Sequence, residues 1–181
     1  SVLATTTGWS IQKVEGFIEK EEFFKLIANR IFPCTWWIRS EEKLDYIQEP
    51  DLFHDFFGHV PMLTNQAFCD FMEVIGKLAV NHSSNKESLI RLERIWWFTV
   101  EFGLIRQKGE NKIFGGGIMS SKGEIAHSLS DNVERRPFSV EAVCSQDFRI
   151  DQLQEVLFII ESFDKLFKSV DEIKNVLEEK Q

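Results

Sequence analysis

The stretch Glu49-Pro50-Asp51-Leu52-Phe53-His54-Asp55-Phe56-Phe57-Gly58-His59-Val60-Pro61 places two of the chain's four histidines in one aromatic, glycine-broken segment. Neutral imidazole is the commonest protein ligand for transition metals. A spacing of five turns an ideal α-helix by about 140° and lifts it about 7.5 Å, so a regular helix would aim the two rings apart. The spacing therefore predicts that the helix unwinds at Gly58, with His59 folding back beside His54. A third ligand should be a carboxylate in apolar surroundings, and Glu101 fits. It stands in Trp96-Trp97-Phe98-Thr99-Val100-Glu101-Phe102-Gly103-Leu104-Ile105, where an unpaired carboxylate is costly to desolvate. Other readings compete: Glu101 pairs with an arginine such as Arg94 or Arg106 or simply faces water, or the histidines merely fill the core of a non-catalytic helical module.

Two imidazoles and one carboxylate leave open positions on a divalent metal, which is the facial arrangement of non-haem Fe(II) oxygenases. Zinc is the rival. A zinc hydrolase would use His54, His59 and Glu101 as ligands and Asp55 as general base.

The elements that must position these residues read as mostly helical. Apolar periodicity predicts a helix over 20–31 closed by Pro33, and a short helix opening at Pro50-Asp51 and ending at Gly58-Pro61. Further helices run from Asn65 to about Val80 and from Glu87 to about Arg106, with a polar loop between. Lys112–Ser121 reads as a strand with a close-approach glycine run, and 122–150 is poorly periodic. In the segment 151–179, Leu153, Val156, Ile160, Phe163, Phe167, Val170, Ile173 and Leu177 recur every three or four residues, predicting one amphipathic C-terminal helix docked on its own domain. The fold class expected is mainly α with short β-strands, one domain over 1–181.

Composition narrows the function. The chain has 181 residues, 43% hydrophobic and 28% charged, with a net charge of −8. That charge argues against an electrostatic nucleic-acid binder and against docking on anionic lipid. No apolar run approaches the roughly 20 residues of a membrane span. Cys34, Cys69 and Cys144 are odd in number and lack CxxC pairs, so they read as reduced thiols of a cytoplasmic protein.

Three separated motifs, EPDLFHDFFGHVP, WWFTVEFGL and GGGIMSSKGE, together resemble the pterin-dependent aromatic amino acid hydroxylases. Asp55-Phe56-Phe57 and the lead-in Leu44-Asp45-Tyr46-Ile47-Gln48 resemble the bacterial members acting on phenylalanine. The similarity runs from about Thr7 to Phe167, and the family's catalytic domain extends further upstream than Ser1. The resemblance implies Fe(II) held by His54, His59 and Glu101, and a tetrahydropterin (tetrahydrobiopterin or a bacterial equivalent) lying against Gly16, Phe17, Ile18 and Phe23. It implies that Arg39 anchors the substrate carboxylate, where an isolated reading would make it a surface arginine beside Glu41 and Glu42. It also implies that Pro50 and Trp97 form the aromatic slot, with Gly117 and Ser120 on a strand closing the site. The implied activity is hydroxylation of L-phenylalanine to L-tyrosine with O2, with tyrosine or tryptophan as alternative substrates. Partners would be these small molecules, and the expected state is a monomer or small homo-oligomer.

Overall fold

The computed structural model describes residues 2–16, 18–43 and 49–178. The first elements are α1 (Val2–Thr6), β1 (Ser10–Lys13), α2 (Lys20–Ala28) and β2 (Ile31–Cys34). The helix over 20–31 is thus shorter than its apolar pattern predicts. Arg30 adopts φ 57° and turns the chain into β2, which pairs in parallel with β1. Pro33 lies inside this strand, which its membership of a two-stranded sheet permits.

After the site segment come α3 (Gln66–Asn81) and α4 (Lys86–Trp96), the two long helices. Asn65 caps α3 through the Phe68 amide, and Asn85 caps α4 through the Glu87 and Ser88 amides. In α3, Phe68, Phe71, Met72, Ile75, Leu78 and Ala79 are buried on one face, so helical periodicity was a sound guide there.

It was a poorer guide further on. The helix expected to reach Arg106 ends at Trp96, continues as a π-helical segment over Trp97–Glu101, and becomes strand β3 (Leu104–Gln107). β3 pairs antiparallel with β4 (Glu110–Ile113) across a tight turn in which Lys108 and Gly109 both have positive φ. The strand expected over 112–121 stops at Ile113, because the glycine run turns into the short helix α5 (Gly116–Met119). Helix α6 (Lys122–Leu129), strand β5 (Glu134–Pro137) and helix α7 (Val140–Ser145) then account for the aperiodic stretch.

The single helix expected over 151–179 is three elements: β6 (Val156–Ile160), α8 (Phe163–Lys168) and α9 (Val170–Glu178). Val156-Leu157-Phe158-Ile159-Ile160 is an unbroken apolar run, and it fills the centre of the sheet order β4-β3-β6-β5, parallel to both neighbours. Its side chains alternate: Phe158 and Ile160 enter the main core, while Leu157 packs with Phe102, Leu104, Ile118 and Val133. Ser162 caps α8 by accepting the Lys165 amide, and α9 buries Val170, Ile173 and Leu177 against its own domain. Among the described residues, no helix is long and apolar enough to cross a membrane.

Candidate metal centre

Asp51 organises the segment that carries the histidines. It is fully buried, and its Oδ1 accepts the His54 amide at 2.9 Å, capping the helix that starts beside it. Arg39 closes on the same carboxylate, with Nη2 to Oδ1 at 2.7 Å, Nε to Oδ2 at 2.9 Å and its own amide to Oδ2 at 2.8 Å. Burial by itself raises the Asp51 carboxyl, but the Arg39 and His54 donors outweigh it and hold the group below the usual carboxylate range. Arg39 is therefore a buried, forked partner of Asp51 and not the exposed arginine that Glu41 and Glu42 alone would suggest.

From His54 to His59 the backbone is π-helical. An i→i+5 ladder brings residues five apart onto nearly one face, so the segment widens where the sequence alone suggested unwinding. The two Nε2 atoms come within 3.0 Å. Gly58 serves a different purpose from the one its sequence position suggested: a Cβ there would lie 2.7 Å from the Gly116 carbonyl oxygen. Gly116 is the reciprocal close approach, since its own Cβ would lie 2.6 Å from His59 Nε2. The glycine run is thus pressed against the histidine rings.

Glu101 arrives from the second π segment, where the Phe102 amide donates to the Trp97 carbonyl five residues back at 2.8 Å. Its Oε2 is 3.3 Å from His59 Nε2 and 3.6 Å from His54 Nε2. Among the described residues no arginine claims it: Arg94 bonds Cys144 O and Asp147, and Arg106 bonds Gly109 O. Oε1 instead accepts the Trp96 indole N–H at 3.0 Å.

These three residues form a group whose ligand atoms lie within 4.8 Å of one another. Ligands about 2.1 Å from a common ion are about 3 Å apart at right angles, so the spacing fits a divalent cation. The donor chemistry fits as well. Ser120 Oγ donates to Gly116 O at 2.8 Å, which leaves it as acceptor for His54 Nδ1–H at 2.8 Å and directs the Nε2 lone pair toward Glu101. Burial, together with the charge on His59, pulls His54 down to about 4, so its ring is neutral at pH 7. Burial also pulls on His59, but Glu101 outweighs it and leaves that imidazole raised. Glu101 is lowered to about 2: burial opposes ionisation, and the two histidines and the Trp96 N–H overcome it.

Residues 1–180 of the chain match the family model of the biopterin-dependent aromatic amino acid hydroxylases. The chain belongs to that family. The phenylalanine-4-hydroxylase of Chromobacterium violaceum is 45% identical over 166 residues, covering 91% of this chain and 56% of the relative. The phenylalanine-4-hydroxylase of Pseudomonas aeruginosa is 42% identical over 171 residues, 94% of this chain and 64% of the relative. A crystal structure of the Chromobacterium enzyme with bound iron(III) and oxidised 7,8-dihydrobiopterin superposes with a TM-score of 0.89 at 43% identity, covering 97% of this chain and 64% of that one. The chain thus spans roughly three fifths of the hydroxylases it matches.

Of the remaining residues singled out in the sequence, Ser120 touches this hydroxylase-family centre directly, through His54 Nδ1. Ser120 is the C-cap of α5 and Gly117 lies within α5, so they lie on a helical turn where a strand was expected. Arg39 Nη1 donates to Ser120 O at 2.7 Å, joining the guanidinium to the residue that orients His54. Pro50 is partly buried directly before Asp51. Trp97 is stacked between Phe102 (4.5 Å) and Phe148 (4.4 Å), with its N–H on Gln154. Phe23, partly buried, meets Trp96 edge-on at 5.1 Å. Gly16 and Ile18 are partly buried, and a Cβ on Gly16 would meet nothing within 4 Å. Phe17 and the lead-in Leu44–Gln48 lie outside the described residues.

Asp55, the base of the zinc-hydrolase alternative, is buried with Oδ2 held by the Thr35 amide at 2.7 Å and the Thr35 hydroxyl at 2.9 Å. Those bonds make it an anchor between β2 and the histidine segment. The cysteines are buried, and burial pushes all three to about 11, so none offers a thiolate. Sequence reasoning missed Asp51 as the hub and Trp96 as the partner of Glu101. Asp51 had a signal, an Asp three residues before His54 in N-cap position. Trp96 had none, because helical spacing turns it away from Glu101.

Proposed function

We propose that the chain carries the iron site of a phenylalanine 4-monooxygenase that hydroxylates L-phenylalanine to L-tyrosine with O2 and a tetrahydropterin. The observation that carries this reading is the convergence of His54, His59 and Glu101 with no guanidinium on the carboxylate. When bound, ferrous iron and the reduced pterin supply the electrons that allow O2 to oxidise an aromatic ring.

The chain's residues contribute binding, orientation and exclusion of water. His54 would bind through Nε2 because Ser120 occupies Nδ1, and Glu101 through Oε2. Three of Arg39's five N–H groups are engaged by Asp51 and Ser120, leaving two for the substrate carboxylate. With Asp51 as its fixed support, the fork would meet that carboxylate without first being ordered. Trp97, clamped by two phenylalanines, would wall the ring slot together with Pro50 and Gly117. Gly16, Phe17, Ile18 and Phe23 would form the pterin wall, where open space over Gly16 leaves its backbone approachable.

The test is turnover of phenylalanine, tyrosine and tryptophan with ferrous iron and a synthetic tetrahydropterin. About one iron per chain, with O2 uptake that requires both phenylalanine and the reduced pterin, supports the proposal. Faster turnover of tyrosine or tryptophan would move the substrate assignment within the family. A zinc-loaded protein with pterin-independent hydrolytic activity would overturn it.

A further inference from the structure

Gln154 is buried, and each of its polar groups has a partner. Helix α6 holds its backbone at two points: Glu124 Oε1 accepts its amide at 3.3 Å, and His127 Nε2 donates to its carbonyl at 2.8 Å. Its side-chain Nε2 donates to Arg149 O at 2.8 Å and to Gln152 O at 3.3 Å. Those two bonds settle which end of the amide is oxygen, and Oε1 is left to accept the Trp97 indole N–H at 2.9 Å. The indole faces are held differently. Phe102 stacks on Trp97 at 29° and Phe148 at 13°. Two stacked rings resist tilting but leave the indole free to slide and turn in its own plane, because stacking tolerates a range of offsets. Packing does not close that freedom, since an open cavity of about 210 Å3 lies among Phe98, Phe148, Arg149 and Gln154. The bond to Oε1 is directional and acts at the ring edge, so it fixes the in-plane angle.

Resting on the ring-slot reading above, we propose that Gln154 is a positioning residue that sets the in-plane orientation of Trp97 and, through it, the alignment of the substrate ring. Trp97 opens the π segment that ends at Glu101, so the slot wall and the carboxylate ligand ride on one element. A turned indole would shift the wall relative to the metal centre, and a misplacement of about 1 Å costs about 100-fold in rate. Helix α6, which supplies no ligand, thereby helps to shape the slot through the backbone of Gln154.

Gln154→Met keeps the length of the side chain and removes the acceptor. The wild type, Gln154→Met, Trp97→Phe and the double variant are compared as iron-loaded proteins. The measurements are the dissociation constant of L-phenylalanine by titration calorimetry and kcat/KM for tyrosine formation with a synthetic tetrahydropterin. Gln154→Met should weaken phenylalanine binding about fivefold or more, the usual loss when a donor is left unpaired, and lower kcat/KM about 10–100-fold. Added to Trp97→Phe, which has no N–H to hold, the same substitution should change either quantity by less than about twofold. Should Gln154→Met fail to fold, 3-benzothienylalanine at position 97 keeps the bicycle, replaces N–H with sulfur and breaks the same bond from the other side, with the same losses expected. Equal losses from Gln154→Met with and without the indole, or no loss when the bond is broken from either side, overturn the role given to Gln154 while the slot stands. A wild-type protein that binds no phenylalanine and forms no tyrosine overturns the slot reading itself.

Discussion

The two π segments that deliver the ligands are held in opposite ways. His54–His59 is fixed by polar groups: Asp51 takes the His54 amide, Arg39 grips Asp51, Thr35 grips Asp55, and Ser120 holds the His54 ring. Trp97–Glu101 is fixed mainly by packing. Phe98, Thr99 and Val100 are buried, Phe98 meets Phe158 at 5.1 Å, and Trp97 is clamped between Phe102 and Phe148. The difference teaches where each half is vulnerable. A directional polar network fails when one member is removed and leaves a buried charge behind, whereas a packed segment tolerates changes of similar shape.

The comparison is broken most severely by removing a ligand. Glu101→Gln keeps the packing of its segment but gives up the charge that holds His59, so ferrous iron affinity should fall by more than about 100-fold, beyond the effect of an outer partner. Equilibrium dialysis with iron analysis checks it, and unchanged stoichiometry would remove Glu101 from the ligand set. Next in size is Arg39→Ala. Losing one member of a buried pair costs about 3–5 kcal/mol, because Asp51 stays behind as a buried charge, and apparent affinity for phenylalanine should fall as well. The pH dependence has a definite sign. With Arg39 present, Asp51 is depressed in the folded state, so its contribution is full above its unfolded value of about 3.9 and is lost as pH falls through the folded value. Without Arg39, burial raises Asp51, and that penalty disappears as the pH is lowered and the group protonates. Between pH 7 and pH 4 only the second change operates, so the stability gap in chemical denaturation should shrink there, and it should shrink further below about pH 3.9 as the wild-type contribution is lost.

The ligand set was legible because residue types announce it: two imidazoles in a glycine-broken aromatic turn, and a carboxylate among aromatics. How they converge was hidden by the assumption of 3.6 residues per turn, since a π segment leaves no mark in apolar periodicity. The same assumption merged β6, α8 and α9 into one helix: Val156, Ile160, Phe163 and Phe167 satisfy a helical stripe by coincidence. The signals that override it are local, an unbroken apolar run rich in β-branched residues followed by Ser162 in N-cap position. Arg39 was misjudged without the family because its partner Asp51 is 12 residues away, and no local pattern pairs a guanidinium with a carboxylate at that distance.

Smaller substitutions sharpen the comparison by touching the seam between the two segments. Gly116→Ala drives a methyl into the His59 ring, while Gly16→Ala adds one to open space. The first should weaken iron binding by tenfold or more, as expected when a ligand loses its orientation, and the second should leave it unchanged. Equal iron affinities for the two variants would show that the glycine run does not set the His59 position.

Ser120→Ala is the mildest test and the most specific. Ser120 is 4% exposed, and its hydroxyl carries two jobs, donating to Gly116 O and accepting from His54 Nδ1. Without it, His54 can place its proton on either nitrogen, and the share of rings with Nε2 protonated cannot ligate. Iron affinity should fall about tenfold, at the low end for an outer partner, because Asp51 still holds the His54 backbone. Thermal stability should change little, since the volume lost is one hydroxyl. Ser120→Thr returns a hydroxyl to the same position and should restore affinity toward the wild-type value. An alanine variant with undiminished affinity would mean that packing alone orients His54, and the contrast between a polar-held and a packed segment would fall with it.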